Sequence, residues 1–309
     1  MLVLSAGDLR RVATMSEAID VIERAFLALY EGQCKAPLRS IIDVGEENYV
    51  LYMPAYVAPL DAMSVKIVSV YPKNPEIGLP TINAIVILTD PKNGLPLAVM
   101  EGGYLTALRT GATSGVALKY LARKDSRIVG VIGTGRQSYF QVWAASTVRE
   151  VELVKAYDIS RETMERFKRE VEGWLGINVE LVKSSRDAVK GSDIVILATT
   201  AKTPVIDGRW LEDGITVVSI GWMGKDAREL DTETVRSSKL VVDLREAVLA
   251  ESGDILIPIR EGAISEDHIY AELGEIVSGK KPGRVDEEEK MLFKSVGLAI
   301  EDAAAAKYI

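Results

Sequence analysis

The sequence contains very little cysteine and histidine, the residues that most often build disulfides and zinc sites. Its single cysteine, Cys34, excludes an internal disulfide framework. With only one histidine, His268, a zinc site of the usual Cys/His kind is not expected, and we predict no metal. Ser265 resembles a helix N-cap and is followed by acidic residues, so His268 is interpreted as a solvated residue near a helix start.

Basic runs and long apolar segments are also missing. The net charge is −8 and no run of lysine or arginine stands out, which disfavours a nucleic-acid partner. No apolar run reaches the ~18–20 residues that a membrane span requires. The first residues, MLVLSAGDLRR, lack the charged start and apolar core of a secretory signal. The sequence therefore predicts a cytoplasmic protein, and its 309 residues correspond to about two domains.

A strand followed by a glycine-rich turn occupies the middle of the chain, in the sequence IVGVIGTGRQ at 128–137. A continuous apolar run is typical of a strand that is buried on both faces. The two glycines would let the backbone turn sharply and approach a pyrophosphate at a helix N-terminus. Ser138 stands where a third glycine or alanine is expected, but serine is also small. We expect a dinucleotide site with these residues at the pyrophosphate: Gly133, Thr134, Gly135, Arg136 and Gln137.

The segments after this turn alternate between helical and extended patterns, which predicts a doubly wound parallel sheet of the Rossmann α/β class. Helices are predicted at 137–148, 161–175 and 184–190, and strands at 151–158, 178–182, 193–198, 216–221 and 240–244. The alternative is a glycine turn in an α/β fold that binds no nucleotide.

Two residues bear on the choice of cofactor: one ends the second predicted strand, and the other begins the helix after it. Asp158 is expected to accept hydrogen bonds from ribose hydroxyls and to repel a 2′-phosphate, which favours NAD. Arg161 could accommodate that phosphate, so NADP stays possible. Thr199 and Gly221 lie at strand ends, where open sheets place ligands, and are expected near the nicotinamide. Thr199 could also end its strand without any ligand contact.

The first part of the chain, to about residue 120, lacks this alternation and predicts a separate α+β domain. An amphipathic helix at 16–30 precedes several extended segments. Strands at 81–89 and 95–100 flank the turn sequence DPKNG and predict an antiparallel hairpin. The chain is expected to close with one helix, which begins at Asp286 as N-cap, uses Glu289 in a capping box and continues through MLFKSVGLAIEDAAAA.

Lys66 interrupts an otherwise apolar strand at 64–71. Burial in such a strand would desolvate the ammonium, which makes a lysine a usable proton donor or acceptor near neutral pH. An edge-strand lysine that faces water is the alternative. Arg39 and Arg109 are each either a surface arginine or a fork for a substrate carboxylate. The small residues after Arg109, TGATSG, allow a ligand to come close.

Together these segments resemble the ornithine cyclodeaminase and mu-crystallin family, which also contains an archaeal type of alanine dehydrogenase. The resemblance covers nearly the whole chain and rests on KAPLRS, LYMPAY, the strand with Lys66, GLPTINAIVILTDPKNGLPLAVMEGGYLTALRTGATSG, VIGTGRQ, SDIVILATTAKTPVIDGRWL, the segment ending ARELD, and FKSVGLAIEDAAAA. It implies a homodimer built on a substrate-binding domain of residues 1–118 and 294–309, with a Rossmann domain of residues 119–293 inserted.

The resemblance also implies roles for particular residues. Arg39, Lys66 and Arg109 would line the substrate pocket and bind a carboxylate or its neighbour. The nicotinamide would lie beside Lys66, which makes that residue the candidate for the proton step. Ser295, in the segment FKSVG, would belong to the cofactor site, although it could equally end a strand or helix without a ligand contact.

One position departs from the family pattern. Ornithine cyclodeaminases and archaeal alanine dehydrogenases have a catalytic aspartate before a Glu-Leu pair, which is Glu229-Leu230 here, and Met223 occupies its place. A thioether cannot take a proton, although a loop shift could bring Asp226 into the position. Ketimine reductases of the mu-crystallin type also lack this aspartate, so its absence favours a simpler reaction than deamination followed by cyclisation.

The resemblance therefore favours an NAD(P)-dependent oxidoreductase that interconverts a small imino acid and an amino acid. The imino acid would be a cyclic ketimine or an alanine-type imine. One alternative is a cyclodeaminase that converts ornithine into proline and ammonia with internally recycled NAD. An alternative of another class is a non-catalytic protein that binds the cofactor or a small carboxylate.

Overall fold

The computed structural model describes residues 1–222 and 224–309, and these residues form two compact units. The first unit consists of Met1–Thr113 and Leu298–Ile309, and the second of Ser114–Gly297. These limits lie a few residues from the boundaries expected from the sequence, and what each unit binds stays a proposal. In the part of the chain that the structure describes, no helix is both long enough and apolar enough to cross a membrane.

The first unit is an α+β structure around a mostly antiparallel sheet. Its strands are β1 (Leu2–Leu4), β2 (Cys34–Lys35), β3 (Ser40–Gly45), β4 (Asn48–Val57), β5 (Ala62–Val70), β6 (Ile82–Thr89) and β7 (Pro96–Glu101). Its helices are α1 (Ala6–Val12), α2 (Met15–Tyr30), the beginning of α3 (Gly102–Leu121), and the C-terminal helix α11 (Ala299–Tyr308). The strand order is β1-β7-β6-β5-β4-β2, β3 also pairs with β4, and only the β1–β7 pairing is parallel.

The core of this unit lies between one face of the sheet and two helices. Side chains alternate between the faces of a strand, and every second residue of β5, from Ala62 to Val68, is buried. Helices α2 and α11 pack together, and α11 packs on β4, β5 and β6. The small side chains Ala303–Ala306 are fully buried, so α11 approaches its neighbours closely. Because β5 lies between β4 and β6, the alternative of an edge strand for Lys66 is wrong.

The hairpin expected around DPKNG is confirmed. Strands β6 and β7 pair antiparallel, and Asp90 Oδ1 accepts a hydrogen bond of 2.8 Å from the Lys92 backbone N–H inside the turn. Gly94 has φ +76°, a conformation that glycine adopts without steric cost. The local turn chemistry therefore sets this connection.

The second unit contains the doubly wound sheet, and this prediction is confirmed. Its strands are β8 (Ile128–Ile132), β9 (Leu153–Tyr157), β10 (Asn178–Leu181), β11 (Ile194–Leu197), β12 (Thr216–Ser219), β13 (Lys239–Val242), β14 (Ile269–Glu272) and β15 (Met291–Lys294). Its helices are α4 (Arg136–Val148), α5 (Arg161–Leu175), α6 (Ser185–Val189), α7 (Thr232–Ser237), α8 (Arg245–Glu251), α9 (Gly253–Arg260) and α10 (Leu273–Val277). The strand order is β10-β9-β8-β11-β12-β15-β13-β14, and every pairing is parallel.

The expectation of one closing helix from Asp286 is wrong. The Glu289 carboxylate instead accepts the backbone N–H groups of Val285 and Asp286 in a turn, and β15 follows between β12 and β13. All four residues of β15 are buried, as a central parallel strand requires, and a short apolar run does not distinguish strand from helix by periodicity. Gly297, with φ +79°, separates the strand from α11.

Ser265 occupies the N-cap position, as expected, but the helix that follows it is shorter than expected. His268 is the last residue of a single 3₁₀ turn, Glu266–His268, and no side-chain cap bond comes from Ser265. The His268 ring is half-buried, and Nε2 lies 2.8 Å from the Val235 carbonyl oxygen. The histidine therefore has a structural contact rather than full solvation.

Candidate functional site

Four charged side chains meet in the interior of the first unit, and we call Lys66, Arg109, Glu301 and Asp302 the buried charge cluster. Lys66 Nζ lies 2.8 Å from Asp302 Oδ2. Arg109 donates from Nε to Asp302 Oδ1 at 3.0 Å and from Nη1 to Glu301 Oε2 at 2.6 Å. Lys66 is 2% exposed and Arg109 6%, while both acids are fully buried. The cluster therefore balances two cations with two anions away from bulk water.

Local structure explains why the two acids lie where they do. Glu301 and Asp302 belong to the first turn of α11, where the helix dipole favours negative charge. The Leu298 backbone N–H donates to Glu301 Oε1 at 2.7 Å, and Thr113 Oγ1 lies 2.9 Å from Glu301 Oε2. Both carboxylate oxygens of Glu301 therefore accept hydrogen bonds, and these hold the side chain in place as a partner for Arg109.

Lys66 is the member of the cluster that can exchange a proton near neutral pH. Burial lowers the pKa of its amine to about 8, helped by the positive charge of Arg109 and opposed by Asp302 and Glu301. Although burial disfavours its charge, Asp302 and Glu301 raise the pKa of the Arg109 guanidinium above its ordinary value. Arg109 therefore stays a fixed cation while Lys66 can act as an acid or a base.

Arg109 keeps part of its guanidinium free of protein partners. Within residues 1–222 and 224–309, Nη2 makes no hydrogen bond, while Nε and Nη1 are held by the two acids. A guanidinium that is held in place through Nε and Nη1 is well suited to bind a substrate carboxylate through Nη2.

Arg39 does not belong to the buried charge cluster. It is half-buried between β2 and β3, and its charge opposes the rise that burial causes in the pKa of the Tyr49 phenol. Among the described residues, neither Lys66 nor Arg109 forms an ion pair or hydrogen bond with it. Of the three predicted substrate residues, the structure brings Lys66 and Arg109 together.

The glycine turn of the second unit has the geometry of an anion site. Gly133 has φ +86°, and a Cβ atom there would lie 2.5 Å from the Ala198 carbonyl oxygen, so only glycine fits. Gly135 is the N-cap of α4 and supplies no side-chain cap, which leaves the first N–H groups of the helix open to a ligand. A Cβ atom on Gly135 would meet no protein atom within 4 Å. Open space and free donors therefore coincide, as a pyrophosphate requires.

The residues around the turn are held by short polar contacts. Thr134 donates from its backbone N–H to Asp158 Oδ2 at 2.7 Å, and the Ser160 N–H donates to Asp158 Oδ1 at 2.9 Å. Ser138, at the third fingerprint position, is fully buried and its hydroxyl donates to the Gly133 carbonyl. A carboxylate has further lone pairs, so Asp158 retains the capacity to accept a ribose hydroxyl.

The predicted cations near the turn lie at helix starts. Arg136 is exposed in the first turn of α4, followed by the half-buried Gln137. Arg161 begins α5 and is exposed, where it pairs with Glu165 at 2.6 Å. Arg161 would have to leave that partner to reach a 2′-phosphate.

Glu229 organises the strand ends at which two cofactor residues were predicted, and sequence reasoning missed it. Its Oε2 accepts the Thr199 hydroxyl at 2.8 Å, and its Oε1 accepts the Ser219 hydroxyl and the Gly221 backbone N–H, both at 2.8 Å. A Cβ atom on Gly221 would lie 2.5 Å from Oε2, so the glycine makes room for this carboxylate. In the sequence, Glu229 is informative only as part of the Glu-Leu pair that identifies the position of Met223.

Two further buried acids hold the last residue of β15 and the residue that follows it. Lys294 Nζ pairs with Asp254 Oδ2 at 2.7 Å and donates to the Gly221 carbonyl at 2.5 Å. The Ser295 hydroxyl donates to Asp243 Oδ2 at 2.9 Å, and burial raises the pKa of that acid. Ser295, a predicted cofactor residue, thus has a protein partner that holds the strand end.

The family aspartate that the sequence lacks corresponds to Met223, which lies outside the described residues. Asp226, the alternative acid, has a side chain that is 73% exposed, and its Oδ1 accepts a hydrogen bond of 3.0 Å from Arg260 Nη1. In this structure Asp226 is therefore a partner of a surface arginine.

Known proteins match the chain along its whole length. The family model described as the ornithine cyclodeaminase/mu-crystallin family matches residues 1–309. The solved Δ1-pyrroline-2-carboxylate reductase of Thermococcus litoralis, in complex with NADH and L-proline, is 54% identical, with a TM-score of 0.97 over 100% of this chain and 96% of that one. A Δ1-pyrroline-2-carboxylate reductase of Bacillus cereus is 42% identical over 100% of this chain and 95% of its own length. A solved archaeal alanine dehydrogenase dimer with bound NAD is 36% identical, with a TM-score of 0.93 over 100% of this chain and 94% of that one.

Proposed function

The chain belongs to the ornithine cyclodeaminase/mu-crystallin family, and we propose that it uses NADH to reduce a small cyclic imino acid to the corresponding amino acid. The sequence-based expectation of an NAD(P)-dependent oxidoreductase for imino and amino acids is confirmed at the level of reaction class by its relatives. The preferred substrate that we propose is a five-membered cyclic imine with a carboxylate beside the imine carbon. We assign the protein to the cytoplasm, where NADH consumed by such a reaction is regenerated.

The observation that carries this proposal is the buried charge cluster. Lys66 can supply the proton that the imine nitrogen needs, because burial brings its pKa to about 8. The free edge of Arg109 can bind the α-carboxylate, and we propose that Arg39 assists as a second cation. When bound, NADH supplies the hydride.

We propose that the second unit binds NADH through the glycine turn. The open space at Gly135 and the uncapped start of α4 support a pyrophosphate there, and Asp158 supports NAD over NADP. Thr199 and Gly221 are proposed at the nicotinamide because they lie at the carboxyl ends of β11 and β12. For Ser295 the support is the family resemblance alone.

A valine at Gly135 should remove NADH binding without unfolding the protein. The new side chain meets no protein atom, but it occupies the space that we assign to the pyrophosphate. We expect the dissociation constant for NADH to rise at least ~10-fold, measured by nicotinamide fluorescence, with the melting temperature unchanged. Gly173→Val is the matched control, since a Cβ atom there also meets nothing within 4 Å. Unchanged NADH affinity in Gly135→Val would contradict this assignment of the cofactor site.

We also propose that the protein is a homodimer formed through the outer face of the first sheet. Tyr52, Ile67 and Ile85 are neighbours across β4, β5 and β6, on the face opposite Lys66. Tyr52 is 36% exposed and Ile85 42%, and Leu97 on β7 is also exposed. A contiguous apolar face of this kind marks an interaction surface, and the dimeric alanine dehydrogenase relative supports a second copy as its partner.

Placing a charge on this face should separate the subunits. Ile85→Asp would bury an unpaired carboxylate in the proposed interface, so we expect a monomer in place of a dimer in light scattering coupled to gel filtration. Ile159→Asp is the control, because that isoleucine is 96% exposed in the second unit. A wild-type monomer, or a dimer that survives Ile85→Asp, would show that the face has another role.

The proposed reaction is tested by incubating the purified protein with NADH and a panel of imino acids. The panel includes Δ1-pyrroline-2-carboxylate, its six-membered homologue, and pyruvate with ammonia. We expect the fastest oxidation of NADH with a cyclic imine. Ammonia release from ornithine without net change in cofactor absorbance would instead indicate a cyclodeaminase, and retained cofactor without turnover of any substrate would indicate a binding protein.

A further inference from the structure

Asp302 contacts both cations of the buried charge cluster. Its Oδ2 lies 2.8 Å from Lys66 Nζ, and its Oδ1 accepts a hydrogen bond of 3.0 Å from Arg109 Nε. The residue is fully buried in the first turn of α11. A buried acid that bridges two bases fixes the distance between them and influences the charge on each.

The other surroundings of Lys66 in this unit offer no second counter-charge in direct contact. Across the sheet Lys66 faces Met53 on β4 and Val86 on β6, and its same-face neighbours on β5 are Ser64 and Val68. Among the described residues, the charged groups that act on Lys66 are Arg109, Asp302 and Glu301. Arg109 opposes the lysine charge, and the Glu301 carboxylate accepts its hydrogen bond from Arg109. Asp302 is therefore the main support of the positive charge on Lys66.

The contact between the two residues is a buried ion pair, with Lys66 Nζ 2.8 Å from Asp302 Oδ2, and both the charge and the hydrogen bonding of Asp302 raise the pKa of the lysine. An ammonium has three N–H donors, so this pair favours the protonated lysine and still leaves a proton to give to a substrate.

We propose that Asp302 is a positioning residue that keeps Lys66 charged and correctly placed to protonate the imine nitrogen. This inference rests on the proposed function. Reduction of the C=N bond adds a hydride from NADH, which becomes NAD⁺, to the carbon. The π electrons move to the nitrogen, which takes a proton from Lys66 Nζ. The lysine is left as a neutral amine and regains its proton from water.

The test is the pH dependence of kcat/KM for imine reduction in Asp302→Asn, which keeps the shape of the side chain and removes its charge. The donor must be protonated, so the wild-type rate should fall as the pH rises through about 8. Loss of the negative charge lowers the pKa of Lys66, so the fall should move at least ~1 pH unit lower in the variant. Oxidation of the amino acid needs the neutral lysine, and its rise with pH should move in the same direction.

Glu301→Gln is the matched comparison, because Glu301 contacts Arg109 rather than Lys66. This variant should raise KM while moving the midpoint of the pH profile less than Asp302→Asn does.

If Asp302→Asn reduces imines more slowly but keeps the wild-type midpoint, Asp302 has only a structural role and the inference is overturned. If Asp302→Asn does not fold, Asp302→Glu, which retains the charge, should keep the wild-type midpoint, and a large downward shift would overturn the inference. A wild type that reduces no imine would instead remove the proposed function.

Discussion

Replacing Lys66 with methionine should lower kcat/KM for imine reduction by about 10²–10⁴-fold. Methionine has a similar length and is apolar, so it fills the buried position on β5 but carries no proton to transfer. Asp302 keeps its hydrogen bond from Arg109 Nε, which limits the structural disturbance. The affinity for NADH should not change, because the proposed cofactor residues belong to the second unit.

Steady-state kinetics and NADH fluorescence titration of the same preparation check both parts of this prediction. Lys73→Met is the control, because Lys73 is an exposed lysine that pairs with Glu46 on the surface. Wild-type activity in Lys66→Met would exclude Lys66 as the proton donor. Equal loss of activity and NADH binding would indicate a disturbed fold instead.

Replacing Arg109 with methionine should destabilise the protein by about 3–5 kcal/mol. The substitution leaves Glu301 without the guanidinium that donates to its Oε2. It also leaves Asp302 with Lys66 as its one remaining cation among the described residues. Both acids are fully buried, so water cannot replace the lost partner without opening the core. The free energy of unfolding in urea measures the effect.

Arg209→Met is the control for this prediction. Arg209 also pairs with an acid, Asp207, but its side chain is 82% exposed, so its loss should leave stability unchanged within error. If both variants were equally stable, the buried ion pairs of Arg109 would contribute nothing to the fold. Its role would then be confined to the substrate.

The features that the sequence predicts correctly depend on local patterns. The apolar run before Gly133 and the alternation of strands and helices identify the parallel sheet, and the residues Asp90 to Gly94 identify the hairpin turn. Lys66 is one charge within an apolar strand, and this local pattern predicts a desolvated ammonium. Its burial among charged partners follows the same physical expectation.

The features that the sequence did not reveal depend on partners far along the chain. Residues Met291–Lys294 pair with β12 and β13, and nothing in the segment itself distinguishes this strand from the start of a helix. Glu229 likewise acquires its role only when the ends of β11 and β12 meet. Sequence proximity carries no information about such contacts.

The sequence around the two acids of α11 indicates that they are buried. Glu301 and Asp302 stand next to a run of alanines, and small side chains indicate a closely packed helix. Charges in a closely packed helix must find partners, which points to buried cations elsewhere in the fold. Arg109 is one of them, so the arginine assigned to the substrate is also a structural residue.

The transfer of deuterium from NADH labelled at the donated position of its nicotinamide ring tests the central claim most directly. The wild-type protein is incubated with this cofactor and Δ1-pyrroline-2-carboxylate, and the product is analysed by mass spectrometry and proton NMR. We predict proline that carries one deuterium at Cα, with almost none formed by Lys66→Met. Proline without deuterium at Cα, or equal yields from the two proteins, would contradict the account.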